Sequence, residues 1–483
     1  MQRPSTSLPA GPTPRSSPTL TVSPDQPIDL STGWPNPALL PALDLRHSAT
    51  TVLSNPSIAN PALLYGPDEG YKPLRTHIAA WLSDFYQPRE PVSTQRICIT
   101  GGASQNLACV LQTFTDPVYT RNVWMVAPTY HLAARIMDDA GFAGRLRGVP
   151  EDDEGVDIAL LESGLRAAEE IALRDGNTEP SPCHATVPSF IESRTDLAPL
   201  SLQKVKPPRP WRKIYKHVIY AVPTFANPSG KIMSLRRREA LVRLARKYDA
   251  LVVTDDVYDF LLWSTKPGGE DDFGSRACAP RIVDVDRYLD GGPQDEWGHA
   301  LSNGSFSKLI GPGARTGWAE ASVKVAYGLS QTGSSRSGGA PSHLCAAIID
   351  QMFPTGVVQN QIRNVLQPKY AERYHTLLSA IHEHLVPLGV TLSTPAAAAG
   401  GYFVWIGIPA PLIAADVVQL AQSEEKLRLS PGHVFQVPGD PQVIDKGFAD
   451  HLRLCFAWEE PRHLTEGMRR LARVLQRMTR TQV

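Results

Sequence analysis

The stretch Ala250-Leu251-Val252-Val253-Thr254-Asp255-Asp256-Val257-Tyr258 decides the fold. Its first five residues are apolar or β-branched with no polar alternation, which predicts a strand buried on both faces, as in a parallel sheet. The strand ends in a carboxylate, and ligands of open α/β sheets gather at the carboxyl ends of strands. Just upstream, residues 234–248 predict a helix with Ser234 as N-cap and Leu235, Val242 and Ala245 near one face. The same alternation recurs further back. Residues 96–100 run into Gly101-Gly102 and a helix over 104–113, residues 122–127 run into Pro128-Thr129-Tyr130 and a second helix, and 217–222 stop at Pro223. Apolar strands alternating with helices predict the α/β class, a mainly parallel sheet covered by helices on both sides. Beyond about residue 341 the pattern changes. Helices over 342–352 and 359–388, strand-like pieces at 401–406 and 451–456, and a final helix over 464–478 predict a smaller α+β domain.

Composition narrows the function classes. The 483 residues are 42% hydrophobic and 20% charged, enough for a large core shared by several domains. Lys plus Arg (48) cancel Asp plus Glu (48), which argues against a nucleic-acid or acidic-membrane binder. No apolar run approaches the roughly 20 residues that span a bilayer, and the start lacks a secretory pattern. Six cysteines without CxxC spacing read as reduced thiols, so a cytoplasmic location is expected. Residues 1–25, rich in Pro, Ser and Thr, predict a disordered tail, and their prolines argue against a targeting helix. Residues 26–60 are expected to join the small domain, 61–340 to form the large one and 341–483 the rest of the small one. Within the large domain, about 150–212 and 264–300 read as surface insertions, and Arg236-Arg237-Arg238 as a solvated helix face.

Four constellations carry chemistry. Ser305-Phe306-Ser307-Lys308 precedes a glycine-rich turn, Gly311-Pro312-Gly313-Ala314-Arg315. A lysine enclosed there is neutralised more readily than a surface lysine and is then a nucleophile towards aldehydes, while Ser305 and Arg315 suit a phosphate. Asp255 and Tyr258 offer a carboxylate for a heterocyclic nitrogen and a hydroxyl for a phenolate-like oxygen. In Pro223-Thr224-Phe225-Ala226-Asn227-Pro228 two prolines stiffen a loop that aims an Asn side chain. Gly101-Gly102-Ala103-Ser104 opens a helix whose free N–H groups suit a phosphate. Each pattern alone also occurs as an ordinary turn, cap or core residue. His382-Glu383-His384 places its imidazoles on different helix faces, and no metal site is expected.

Taken in order, Tyr65-Gly66-Pro67-Asp68-Glu69-Gly70-Tyr71-Lys72-Pro73-Leu74-Arg75, the glycine turn, Pro128-Thr129-Tyr130, Asn227-Pro228, Asp255-x-x-Tyr258, Ser305-x-x-Lys308 and Arg453 in His451-Leu452-Arg453-Leu454 make a specific set. The chain resembles the class I/II aminotransferases, fold-type I pyridoxal-phosphate enzymes, and especially their aminoadipate/kynurenine-like and valine–pyruvate-like branches. The resemblance covers about residues 28–478. It implies a large domain with a mainly parallel seven-stranded sheet between helices, a smaller α+β domain, and pyridoxal 5'-phosphate as cofactor.

It also implies roles. Lys308 would carry the cofactor as a Schiff base and move the substrate's α-proton. Asp255 would keep the ring nitrogen protonated, Asn227 and Tyr258 would hold the ring oxygen, and Tyr130 would stack on the ring. Ala103, Ser104, Ser305 and Arg315 would cradle the phosphate, joined by Tyr65 of a neighbouring subunit in a homodimer with shared sites. Arg453 would grip the substrate carboxylate with its planar fork. Gly33, Trp34 and Tyr402 stand where a substrate could contact them. Trp34 and Tyr402 either line a pocket for aromatic or large apolar side chains or are ordinary core residues.

The leading expectation is therefore an aminotransferase working between an α-amino acid and a 2-oxo acid. The alternative is a pyridoxal-phosphate lyase, cyclase or C–C bond-forming enzyme, which the same motifs would serve. A cofactor-sensing transcription regulator would need a DNA-binding domain ahead of Tyr65, where the sequence offers only an irregular stretch. A catalytically dead scaffold would be expected to lack Lys308 or Asp255.

Overall fold

The computed structural model describes residues 22–23, 25–174, 204–268, 274–392, 398–440 and 445–481. Most of the expected N-terminal tail, and residues 175–203 of the first expected insertion, lie outside the described residues.

The central sheet has eight strands: β1 (Ile97–Thr100), β2 (Asn122–Ala127), β3 (Leu146–Asp152), β4 (Gly155–Val156), β5 (His217–Ala221), β6 (Ala250–Asp255), β7 (Ala300–Ser305) and β8 (Gly317–Glu320). Their spatial order is β1-β8-β7-β6-β5-β2-β3-β4. The run β7-β6-β5-β2-β3 is parallel, and β8 is antiparallel to both its neighbours. The eighth strand, β4, is a two-residue hairpin return against Glu151 and Asp152, added at the edge of the seven main strands. All residues of β2, β5, β6 and β7 are buried, as expected for strands covered on both faces.

The helix Leu235–Lys247 starts where Ser234 accepts from the Arg237 N–H. Leu241, Val242, Leu244 and Ala245 form its buried face, whereas Leu235, expected to share it, is exposed. Arg238 overturns the reading of the basic run as a wholly solvated face. It is fully buried and donates to the carbonyls of Met233 at 2.9 Å, Pro280 at 2.9 Å and Pro223 at 3.0 Å, and to Thr224 Oγ1 at 2.9 Å. A cation there is tolerated because four oxygens replace its water.

Neither expected insertion is wholly superficial. The helix Ile158–Arg174 buries Leu161 and Leu165 in the core cluster of Trp124 and Val126, and Gly164 sits so close that a Cβ would lie 2.5 Å from the Trp124 ring. In the second stretch Ile282, Val283 and Val285 belong to the same cluster, and Arg281 pairs in the interior with Asp284 at 2.9 Å. The sequence does read as helical over 158–173, and its acidic surroundings concealed only its burial, whereas Gly-rich neighbours concealed the short helix Ile282–Tyr288 altogether.

The C-terminal part builds a four-stranded antiparallel sheet, ordered Thr391–Leu392, Phe403–Gly407, His451–Cys455, Ser430–Pro431. The long helices Gln367–His384 and Pro461–Thr481 belong to this part. Ile28 and Asp29 pair in parallel with Leu427 and Arg428, which carries the N-terminal segment onto this unit, and Gly33 further along it accepts from Lys308 beyond the end of β7. Among the described residues no helix is long and apolar enough to cross a membrane.

Candidate active site

The ends of β6 and β7, the turn after β1, the loop after β5, the strand His451–Cys455 and the N-terminal segment meet around a cavity of about 400 Å³. Its lining includes Gly33, Trp34, Ala103, Ser104, Tyr130, Asn227, Asp255, Tyr258, Ser305, Lys308, Arg315 and Arg453. Twelve of the fourteen expected site residues are thus brought together.

Lys308 closes a short turn, Phe306–Lys308, in which Ser305 Oγ accepts from the Ser307 N–H. Phe306 anchors the turn against Trp318 at 5.0 Å between ring centres. Lys308 Nζ donates to the Gly33 carbonyl at 2.9 Å and lies 5.0 Å from the centre of the Tyr402 ring. Burial lowers its pKa to about 8, and the nearby Arg453 cation adds to the effect against Cys455 and Asp255.

Asp255 accepts from the Tyr220 hydroxyl at 3.0 Å through Oδ2, while its buried Oδ1 has no partner. Burial raises its pKa to about 7, with Asp256 adding to the rise and Tyr220 opposing it. The Tyr258 phenol, also buried, is pushed well above its ordinary value.

Arg453 is buried, and among the described residues no carboxylate pairs with it. It donates to Asn227 Oδ1 at 3.0 Å, the Ser31 carbonyl at 2.6 Å and Ser430 Oγ at 3.3 Å, and its Nε has no partner. Phe403 and Phe435 sandwich the guanidinium at 4.1 and 4.8 Å. On the opposite wall, Gly102 has φ 92° at the start of the helix Ala103–Phe114, and Arg315 donates to the Gly101 carbonyl at 2.8 Å. A Cβ on Gly102 would lie 2.8 Å from the Arg315 guanidinium, so the turn must be glycine. Asn303 on β7 locks this helix to the sheet, donating to the Ala103 carbonyl at 3.0 Å and accepting from Asn106 at 2.8 Å.

These groups fit pyridoxal 5'-phosphate. An orphaned carboxylate oxygen suits a protonated ring nitrogen, a helix N-terminus beside an arginine suits a phosphate, and an enclosed amine suits an aldehyde. The buried guanidinium suits a carboxylate of the substrate.

Two expected residues are placed differently. Tyr402 is fully buried and does not line the cavity. Its hydroxyl meets that of Tyr370 at 3.1 Å and its ring centre lies 5.0 Å from Lys308 Nζ, so it packs in the interior while Phe403 lines the cavity. Tyr65 is 89% exposed and outside the cavity of its own chain. Trp34 lines the cavity edge, 64% exposed, with its ring edge-on to Trp458 at 6.1 Å.

Sequence reasoning missed Tyr220, Phe403 and His131, which also lines the cavity. The available signal was a hydroxyl inside an otherwise aliphatic strand for Tyr220, and adjacency to Tyr130 and Tyr402 for the other two.

The profile of the family described as aminotransferase class I and II matches residues 54–471. An uncharacterized Saccharomyces cerevisiae protein, YER152C, is 33% identical over 86% of this chain and 89% of its own length. Aromatic-amino-acid aminotransferase 1 of Thermococcus litoralis is 26% identical over 93% of this chain and 88% of its own. Among solved structures, the α-aminoadipate aminotransferase LysN of Thermus thermophilus superposes with a TM-score of 0.69 at 25% identity, covering 94% of this chain and 93% of that one. The chain belongs to the class I and II aminotransferases and is a pyridoxal-phosphate-dependent transaminase.

Proposed function

We propose that this transaminase takes α-amino acids with aromatic or large apolar side chains, using Lys308, Asp255 and Arg453 as its principal groups. The observation that carries the reading is the composition of the cavity. Its only lysine and arginine side chains among the described residues are Lys308, Arg315 and Arg453, each with a place at the cofactor or the α-carboxylate. His131 also lines it, but burial and the Arg453 cation lower its pKa and favour the neutral ring. Trp34, Leu132 and Phe403 in the same lining offer aromatic and apolar surface to a large side chain. The name of the Thermococcus litoralis relative points the same way.

Bound pyridoxal 5'-phosphate supplies an aldehyde that captures the amino group and an electron-withdrawing ring that acidifies the α-carbon. Asp255 Oδ1 would accept the ring N–H and keep that proton in place. Arg453 would fix the substrate carboxylate through its fork, leaving the α C–H towards Lys308. Lys308 Nζ, whose pKa burial lowers to about 8 in the cofactor-free fold, would take the α-proton and return it. Ala103 and Ser104 N–H groups, Ser305 and Arg315 would hold the phosphate, Asn227 and Tyr258 the ring oxygen, and Tyr130 the ring face.

A homodimer is part of the proposal. Leu43, Leu53, Leu63, Leu64 and Tyr65 are all exposed on and just after the helices Ala42–Ser54 and Pro56–Leu63, an apolar face suited to a second copy. Tyr65 would then reach the partner's phosphate site.

The test is the half-reaction of the cofactor-loaded protein, followed by its visible spectrum. Phenylalanine, tyrosine or leucine should convert the cofactor to its amine form and release the matching 2-oxo acid, with aspartate and glutamate at least tenfold poorer. Preference for the acidic donors would overturn the substrate class. Release of ammonia with return of the aldehyde form would favour the lyase alternative.

A further inference from the structure

We propose that Tyr220 is a positioning residue, whose hydroxyl clamps Asp255 Oδ2 so that Oδ1 is held ready for the ring nitrogen of the cofactor. The inference rests on Asp255 serving that nitrogen. Tyr220 lies on β5, opposite Met125 of β2 and Val253 of β6, two residues short of the level of Asp255 on the same sheet face. Its ring is buried in the cluster of Val218, Val253 and Leu301, surroundings that a phenylalanine would fill equally well. Burying a hydroxyl there costs free energy unless it finds an acceptor. The acceptor is Asp255 Oδ2 at 3.0 Å.

The clamp settles which oxygen is left. An aspartate at a strand end can turn about its terminal torsion, which is broad and two-fold. With Oδ2 engaged from the β5 side, Oδ1 remains the buried atom without a partner, and Asp255 borders the cavity. The hydrogen bond also favours the ionised carboxylate against burial and against Asp256. Tyr130, Tyr258 and Lys308 face the same carboxylate from the neighbouring loops, but no hydrogen bond joins any of them to it.

The experiment compares the affinity of the cofactor-free protein for pyridoxal 5'-phosphate and for its carbocyclic analogue, in which C–H replaces the ring nitrogen. Wild type should bind the natural cofactor the more tightly. Equal affinities there would remove Asp255 from the ring nitrogen, a failure of the underlying reading and separate from that of Tyr220. Tyr220→Phe should weaken binding of the natural cofactor about tenfold, the effect of one pKa unit at the partner carboxylate, and change analogue binding less than twofold. In an Asp255→Ala background the same substitution should have no further effect. Equal weakening of both ligands, or of neither, overturns the proposal. Should the phenylalanine variant not accumulate in folded form, a ring-fluorinated tyrosine at position 220 keeps the shape and strengthens the donor. It should move the ratio of the two dissociation constants the opposite way, and an unchanged ratio overturns the proposal.

Discussion

Arg453 donates to Asn227 Oδ1 at 3.0 Å, joining the strand His451–Cys455 to the loop after β5, and so the proposed substrate anchor to the proposed ring-oxygen ligand. One hydrogen bond thus ties the four-stranded C-terminal sheet to the central sheet at the cavity. Arg453→Lys keeps the charge but removes the planar fork. It should lower kcat/KM by about 10–10²-fold, the cost of one charge-assisted hydrogen bond lost from the fork. Cofactor affinity should change much less. Steady-state kinetics with a fixed oxo acid and a spectral titration of the cofactor check the two halves separately.

Lys308 in the cofactor-free protein should titrate near pH 8, well below exposed lysines at about 10.4. Reductive methylation followed by peptide mass spectrometry should show its labelling rate rising to half its maximum near that pH. Arg453→Met should move the midpoint upward, because the guanidinium disfavours the protonated amine. A midpoint near 10 in wild type would contradict the enclosure of this amine.

Asp255 gives a stability signature of defined sign. In the cofactor-free fold its pKa rises from 3.8 to about 7, so between these values the folded state binds a proton that the unfolded state has released. Its contribution to stability is present at low pH and lost as pH rises through that window, by up to roughly 4 kcal/mol. The unfolding free energy of wild type minus that of Asp255→Asn should therefore decline between pH 4.5 and 7.5. A difference that stays flat contradicts the burial of the carboxylate.

Packing beneath the lysine turn predicts a separate effect. Gly304 lies opposite Trp318 in the sheet, and a Cβ there would stand 2.1 Å from the indole ring. Gly304→Ala should cost about 3 kcal/mol or more through overpacking. The displaced indole also supports Phe306, so cofactor loading should fall along with Tm in a thermal melt.

Four strands of the central sheet, β1, β2, β5 and β6, were legible in the sequence because they are apolar runs ending in Gly, Pro or Asp. The strands β3, β4, β7 and β8 were not, because Arg147 and Pro150 interrupt β3, β4 has only two residues, and β7 ends in Ser302-Asn303-Gly304-Ser305. The order of β8 between β1 and β7 was not legible either, since pairing partners leave no local pattern. Asp255 stood out as a carboxylate ending an apolar strand, Lys308 as a lysine beside a glycine-rich turn and Asn227 as an amide between two prolines. Arg453, in the middle of the strand His451–Cys455, entered only through the family resemblance. Tyr402 and Phe403 show where local reading stops. Two adjacent aromatics carry the same sequence signal, and only the backbone path decides that Phe403 faces the cavity while Tyr402 packs in the interior. Arg238 is a similar case: its four oxygen partners come from three separate segments of the chain, so its burial had no sequence signature.

The most direct test of the central claim is to reduce the cofactor-loaded protein with borohydride and map the modified peptide. The phosphopyridoxyl group should sit on Lys308 alone, the visible band should vanish on reduction, and Lys308→Ala should show neither. Modification at a different lysine, or normal turnover by the alanine variant, would contradict the account.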